Sequence, residues 1–167
     1  MTVPETVPEP SAVGVAPLAD AASEGASLDR AAEWRDDPQT LPRLRADPRT
    51  RVLVVRERRV PLGDGLILVP ADDAVLARTR EWALLGRGPD GSGLLLALQE
   101  PEDDTDADGS WAPRWSDLRE ALPLVDAADG ELVVAAIALA GWLRDAGFCP
   151  ACGSPAELRQ NGWSRHC

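Results

Sequence analysis

Three cysteines near the C-terminus are spaced as metal ligands are. The last twenty residues, FCPACGSPAELRQNGWSRHC, hold all three: Cys149 and Cys152 form a C-x2-C pair, and Cys167 follows after fourteen residues. A C-x2-C turn presents two thiolates to one ion, because the backbone amides of the turn also point at the sulfurs. The fourteen residues have the length of a β-hairpin that turns at Asn161-Gly162 and returns Cys167 to the pair. We therefore predict that Cys149, Cys152 and Cys167 bind a structural zinc ion.

A tetrahedral zinc site needs a fourth ligand, and the residues leave its identity open. His166 is the only histidine in the chain, but as the neighbour of Cys167 it would have to bend sharply to reach the same ion. We favour a cysteine three positions beyond Cys167, which would complete a second C-x2-C pair and make the sequence a truncated one. Two other interpretations remain, namely unrelated buried thiols or a redox C-x2-C pair, which normally begins a helix in a thioredoxin-like βαβ unit.

Composition and charge narrow the class of protein. The formal net charge of -11 argues against a broad electrostatic grip on nucleic acid or on an anionic membrane. The longest uncharged apolar stretch, Leu132 to Leu143, is too short to span a bilayer and predicts a buried helix. The N-terminal MTVPETVPEP has neither the basic start nor the apolar run of a signal peptide. An odd number of cysteines favours an intracellular metal site over a disulfide framework. We expect a cytoplasmic protein.

The chain divides into a tail, a mixed domain and the cysteine segment. Residues 1–27 are rich in Pro, Ala, Val, Ser and Glu, and we expect a disordered tail. Asp29 is a candidate cap for a short helix that contains Ala32 and Trp34. Short apolar runs bounded by turn residues predict four strands: Arg51 to Val55, Gly65 to Pro70, Glu81 to Arg87 and Gly93 to Gln99. Asp90-Gly91 supplies positive-φ positions for an antiparallel hairpin of the last two.

Two helices are predicted before the cysteines. The segment SDLREALP has Ser116 as a candidate N-cap and ends at Pro123. The longer segment, DAADGELVVAAIALAGWLRDAG, has Asp126 as a candidate N-cap and Gly147 as C-terminal stop. Its apolar residues cover most of the circumference of the helix. The predicted fold class is α+β: a small mixed or antiparallel sheet with packed helices at residues 28–146, followed by an incomplete zinc ribbon at residues 147–167.

Two other features have ordinary structural interpretations. Asp104 to Gly109 copies the first half of a calcium loop, but position twelve is Trp115 rather than a bidentate glutamate, so we expect a solvated acidic loop. Trp163 follows the predicted hairpin turn, and we expect it to cover one side of the ribbon hairpin.

The order of these pieces resembles one protein family. LDRAAEWR, RVLVV, WALLGRGPDGSGLLLAL, WSDLREALP, AAIALAGWLRDAGFCPACGSP and GWSRHC follow one another as in the N-terminal part of the NAD(H) diphosphatases of the Nudix superfamily. That family has a Nudix-like N-terminal domain and then a C-x2-C-x14-C-x2-C ribbon, whose first three cysteines match Cys149, Cys152 and Cys167. The resemblance extends from about residue 28 to the end.

The resemblance implies an enzymatic function whose catalytic segment has no match in this sequence. Such enzymes are homodimers that use Mg2+ or Mn2+ to hydrolyse NADH or NAD to nicotinamide mononucleotide and AMP, and some remove an NAD cap from RNA. Their catalytic segment, G-x5-E-x7-R-E-x2-E-E-x-G, follows the ribbon, and nothing in this sequence matches it. We expect the chain to supply the scaffold and the structural zinc but no catalytic residue. The alternatives are a non-catalytic zinc-knuckle module for dimerisation or protein binding, and a redox or transcription-associated ribbon protein.

Overall fold

The computed structural model describes residues 28–100 and 112–167. The predicted disordered tail at 1–27 and the predicted acidic loop at 104–109 lie outside these ranges. The helices are α1 (Thr40–Arg45), α2 (Leu118–Ala121) and α3 (Ala127–Asp145). The strands are β1 (Arg51–Arg56), β2 (Val60–Leu62), β3 (Val69–Pro70), β4 (Thr79–Arg87), β5 (Gly93–Gln99), β6 (Arg114–Ser116), β7 (Glu157–Arg159) and β8 (Ser164–His166).

A four-stranded mixed sheet with the order β3-β1-β5-β4 forms the centre of the fold. Strand β1 is parallel to β5 and antiparallel to β3, and β4 is antiparallel to β5. Both central strands are buried on both faces, which explains their continuous apolar sequences. The predicted α+β class with a mixed sheet is confirmed.

The predicted hairpin of β4 and β5 is also confirmed. Its turn closes through hydrogen bonds from the Gly88 amide to the Ser92 carbonyl and from the Gly91 amide to the Gly88 carbonyl. Gly91 has φ of 79°, which glycine adopts without steric cost. Asp90 does not share this positive φ, contrary to our expectation; its carboxylate instead accepts hydrogen bonds from the amide and hydroxyl of Ser92.

One strand prediction was mostly wrong, and two short strands were missed. Of Gly65 to Pro70, only Val69–Pro70 forms a strand. The preceding residues fold back onto the end of β2, because the Ile67 amide donates to the Pro61 carbonyl and Leu66 bridges to Leu62. Strand β2 itself pairs with β6, which comes from more than fifty residues later in the chain.

The N-terminal helix prediction was wrong in its cap. A short 3-10 helix does form at Ala32–Trp34, but its N-cap is Ala31 and no side chain caps it. Asp29 lies against β4 instead: its carbonyl accepts from the Arg87 amide, and its carboxylate pairs with the Arg87 guanidinium at 2.6 Å. Asp29 therefore fixes the start of the described chain to the sheet edge.

The two predicted helices form, with shifted ends. Asp126 caps α3 as expected, accepting a hydrogen bond from the Asp129 amide. Helix α2 is capped by Asp117 rather than Ser116, because Ser116 is the last residue of β6. Ala146, not Gly147, is the C-cap of α3, and it has negative φ. A left-handed glycine is therefore not what ends this helix.

Alternate residues of the central strands pack on opposite sides of the sheet. On one side, Leu53, Val55 and Leu96 contact α3 through a buried cluster that includes Leu139 and Leu143. On the other side, the cluster contains Leu44 of α1 and Leu76 of the 3-10 helix Ala74–Arg78, which forms in the segment between β3 and β4. Helix α3 thus packs on one face of the sheet, and its C-terminus leads directly into the cysteine segment.

Within the described ranges, no helix combines the length and the apolar character that a bilayer crossing requires.

Candidate metal centre

The three cysteines meet at one point after α3. The sulfurs of Cys149, Cys152 and Cys167 all lie within 4.8 Å of one another. A tetrahedral ion with Zn–S bonds of about 2.3 Å would hold its sulfurs about 3.8 Å apart, which is compatible with this upper limit. Three soft sulfur donors at this separation fit zinc in both chemistry and size.

The C-x2-C turn is closed by backbone hydrogen bonds. The Gly153 amide donates to the Cys149 carbonyl, and the Cys149 amide donates to the Ser154 carbonyl, both at 2.8 Å. Gly153 has φ of 71°, which allows the chain to reverse directly after Cys152. These contacts hold Cys149 and Cys152 on the same side of the turn.

The predicted ribbon hairpin brings the third cysteine back. Strands β7 and β8 are antiparallel, with Glu157 opposite His166 and Arg159 opposite Ser164. The turn Gln160–Gly162 has three successive positive φ values, of 49°, 50° and 100°. Asparagine and glycine tolerate this conformation best, which agrees with Asn161 and Gly162, whereas Gln160 adopts it without being either residue. Cys167 follows β8 directly and therefore reaches the C-x2-C turn.

His166 does not join the cysteines. It is exposed and lies in β8 opposite Glu157. In the part of the chain that the structure describes, the only group of His, Cys, Asp and Glu atoms close enough to share an ion consists of the three cysteines. The structure thus assembles Cys149, Cys152 and Cys167 and leaves His166 outside.

Hydrogen bonds within the cluster shift the pKa values of Cys152 and Cys167 in opposite directions. The backbone amide and hydroxyl of Ser154, together with Cys149, lower the pKa of Cys152 to about 7 by stabilising its thiolate. The pKa of Cys167 is raised, because its thiol shares hydrogen bonds with Cys149 and Cys152. In the metal-free site, the thiol of Cys152 is therefore deprotonated more readily near neutral pH than that of Cys167.

This difference predicts the alkylation behaviour of the metal-free protein. Only the thiolate is a nucleophile, so iodoacetamide should modify Cys152 with a rate that rises with pH through a midpoint of about 7. Cys167 should react at higher pH, in the direction of its raised pKa. Peptide mass spectrometry after timed labelling at a series of pH values measures both rates. Modification of Cys167 ahead of Cys152 at pH 7 would contradict the assignment.

The hairpin turn is docked on the domain, which sequence reasoning missed. The Asn161 side-chain amide donates to the carbonyls of Trp34 at 2.9 Å and Asp37 at 2.8 Å. Gly162 packs so closely on β4 that an added Cβ would lie 2.3 Å from the Cβ of Ala83. The sequence signal was the Asn161-Gly162 pair, but it indicates only a turn and not what the turn contacts.

Trp163 contacts the domain, which the sequence prediction did not include. It packs against the core cluster between the sheet and α3. Its indole Nε1 donates to the Leu84 carbonyl of β4 at 2.6 Å, and the Arg35 guanidinium lies 3.8 Å from the centre of its ring. The tryptophan therefore joins the ribbon to the domain.

Comparison with known families bears on this segment of the chain. Residues 144–167 match the family described as the NADH pyrophosphatase zinc ribbon domain. The match supports an NADH pyrophosphatase-type protein. It begins at the last turn of α3 and includes all three cysteines, so the NADH pyrophosphatase relation and a structural zinc ion are both supported at this site. None of the curated proteins matches the chain significantly. The Nudix-like character of residues 28–146 stays a prediction.

Proposed function

We propose that this chain is the N-terminal portion of an NAD(H) diphosphatase, to which it supplies a scaffold and a structural zinc site. The observation that carries the proposal is the meeting of three cysteine sulfurs within 4.8 Å inside the stretch that matches the NADH pyrophosphatase zinc ribbon. In this proposal residues 28–146 are the Nudix-like domain and residues 147–167 are the partial ribbon.

The proposed zinc ligands are Cys149, Cys152 and Cys167. Sulfur-rich zinc sites in proteins are mainly structural, whereas catalytic zinc sites typically combine histidines, carboxylates and a bound water. The ion would link the end of α3 to the end of β8 and so stabilise the ribbon. Its role here is therefore to hold the fold, not to activate a water molecule.

Catalysis is assigned to residues other than these 167. Hydrolysis of the pyrophosphate of NADH or NAD adds one water and releases a mononucleotide and AMP, and it requires Mg2+ or Mn2+ held by several converging carboxylates. The sequence contains no adjacent Glu-Glu pair and no match to the Nudix segment. The proposal therefore places the divalent ions and the attacking water in a catalytic domain that belongs to the same cytoplasmic, homodimeric enzyme.

The genomic DNA tests the proposal directly. The codons after codon 167 in the source genome are expected to encode a cysteine at the third position and a Nudix segment further on. An immediate stop codon would contradict the proposal. In solution, the purified chain with NADH and Mg2+ is expected to release no AMP; turnover that disappears when a carboxylate of this chain is removed would overturn the assignment of catalysis.

One observation favours the alternative of a protein-binding zinc-knuckle module. Phe148, next to the first cysteine, exposes 66% of its surface, although large apolar side chains are usually covered. If the DNA test shows a stop codon, this residue is the first candidate for a contact with a partner. Sedimentation of the native chain and of a Phe148→Ser variant would then show whether the residue supports self-association.

A further inference from the structure

The guanidinium of Arg165, two residues before Cys167, makes hydrogen bonds to three parts of the fold. Its guanidinium donates to both carboxylate oxygens of Glu81 on β4, at 3.0 and 2.9 Å. It also donates to the carbonyl of Leu143 at 2.8 Å and to that of Ala156 at 3.1 Å. The Arg165 side chain is only 10% exposed. One side chain therefore contacts the sheet, the last turn of α3 and the start of the hairpin.

One of these contacts joins the two chain segments that lead to the cysteines. Leu143 lies in the α3 turn that leads to Cys149, and Arg165 lies in the strand that leads to Cys167. The bond between them spans the two halves of the metal centre by a route separate from the sulfurs. Glu81 anchors the pair to β4, which is hydrogen-bonded to β5 in the central sheet.

The chemistry of the guanidinium makes this arrangement specific to arginine. Its Nη2 donates to both Glu81 oxygens and to the Leu143 carbonyl while its Nη1 donates to the Ala156 carbonyl, whereas a lysine ammonium offers a single nitrogen on a shorter polar head. The carbonyl of Leu143 is near a helix C-terminus, where cations are favoured by the helix dipole. A lysine at this position would keep the charge but lose part of the contact set.

We propose that Arg165 is a positioning residue for the metal centre, which holds Cys167 beside Cys149 and Cys152 before any ion binds. The proposal rests on the assignment of the three cysteines as zinc ligands. Residues that support metal ligands from outside typically contribute about 10–100-fold to metal affinity. Arg165 acts in this way through the backbone rather than by touching a sulfur.

The test is a zinc titration of the full chain against a competing chelator under reducing conditions. Arg165→Lys is expected to weaken zinc binding by about 10-fold or more. Arg159→Lys is the matched control, because Arg159 lies in the same hairpin and its side chain, among the described residues, pairs with the exposed Glu157 alone. The control should bind zinc as the native chain does. Bound Co2+ gives a second readout: its visible absorption should show a lower occupancy or a distorted tetrahedral geometry in Arg165→Lys alone.

The zinc titrations distinguish failure of the proposed function from failure of the role proposed for Arg165. If the native chain binds no zinc, the proposed function fails and this inference fails with it. If the native chain binds zinc and Arg165→Lys binds it equally well, only the inference is overturned, even if the variant melts at a lower temperature. Glu81→Gln covers the case in which Arg165→Lys does not fold: it removes the carboxylate charge, and unchanged affinity and Co2+ spectrum would overturn the inference.

Discussion

Gly162→Ala is expected to lower the free energy of unfolding by about 2–5 kcal/mol. Two causes add. Alanine in the left-handed region costs about 1–2 kcal/mol, and Gly162 has φ of 100°. The new Cβ would also lie 2.3 Å from the Cβ of Ala83 and 2.7 Å from its Cα, which forces the hairpin away from β4 at a further cost of about 1–3 kcal/mol. Urea unfolding followed by tryptophan fluorescence measures the change.

Gly91→Ala is the matched control for this prediction. Gly91 also has a positive φ, of 79°, but an added Cβ would meet no atom within 4 Å. Its replacement should therefore show only the conformational cost of about 1–2 kcal/mol. Equal destabilisation by the two variants would show that the contact of Gly162 with Ala83 contributes nothing.

Cys149→Ser is expected to weaken zinc binding by about 60-fold or more. Apparent zinc binding energies of about 10–16 kcal/mol in four-ligand sites correspond to roughly 2.5–4 kcal/mol for each ligand, and 1.4 kcal/mol is a factor of ten. Serine keeps the size of the side chain but offers a harder, protonated oxygen in place of a thiolate. Chelator competition at pH 7 measures the affinity.

The thermal stability of the same variant gives an independent check. An ion that binds only the folded state raises the melting temperature, so added zinc should stabilise the native chain and leave Cys149→Ser unchanged. His166→Ala is the control, since His166 lies outside the cysteine cluster, and it should respond to zinc as the native chain does. A loss of affinity in His166→Ala as large as in Cys149→Ser would make the histidine a ligand and contradict the geometry.

Features that depend on neighbouring residues were predictable from the sequence. The Asp126 cap, the β4–β5 hairpin and the ribbon hairpin each follow from turn or cap residues within a few positions. The convergence of the three sulfurs was predictable for the same reason: a short turn and a short hairpin bring them together over nineteen residues, from Cys149 to Cys167.

Features that depend on distant partners were not predictable. The parallel pairing of β1 with β5 joins Arg51 to Leu94, and no local pattern specifies that neighbour. Strand β2 was missed because three residues carry too little pattern to mark a strand, and its partner is β6. Arg165 and Glu81 are 84 positions apart, so an ordinary-looking surface arginine in the sequence becomes a nearly buried one in the fold.

The docked hairpin also covers part of the exposed edge strand β4. Strand β4 is the last strand of the sheet, and such strands offer unpaired backbone groups that invite association with another chain. Here the indole of Trp163 occupies the Leu84 carbonyl, and Asp29 bridges to Arg87 further along the strand. A shortened protein that stops before the ribbon would expose this carbonyl. We expect such a protein to self-associate through β4 rather than to remain a monomeric smaller domain.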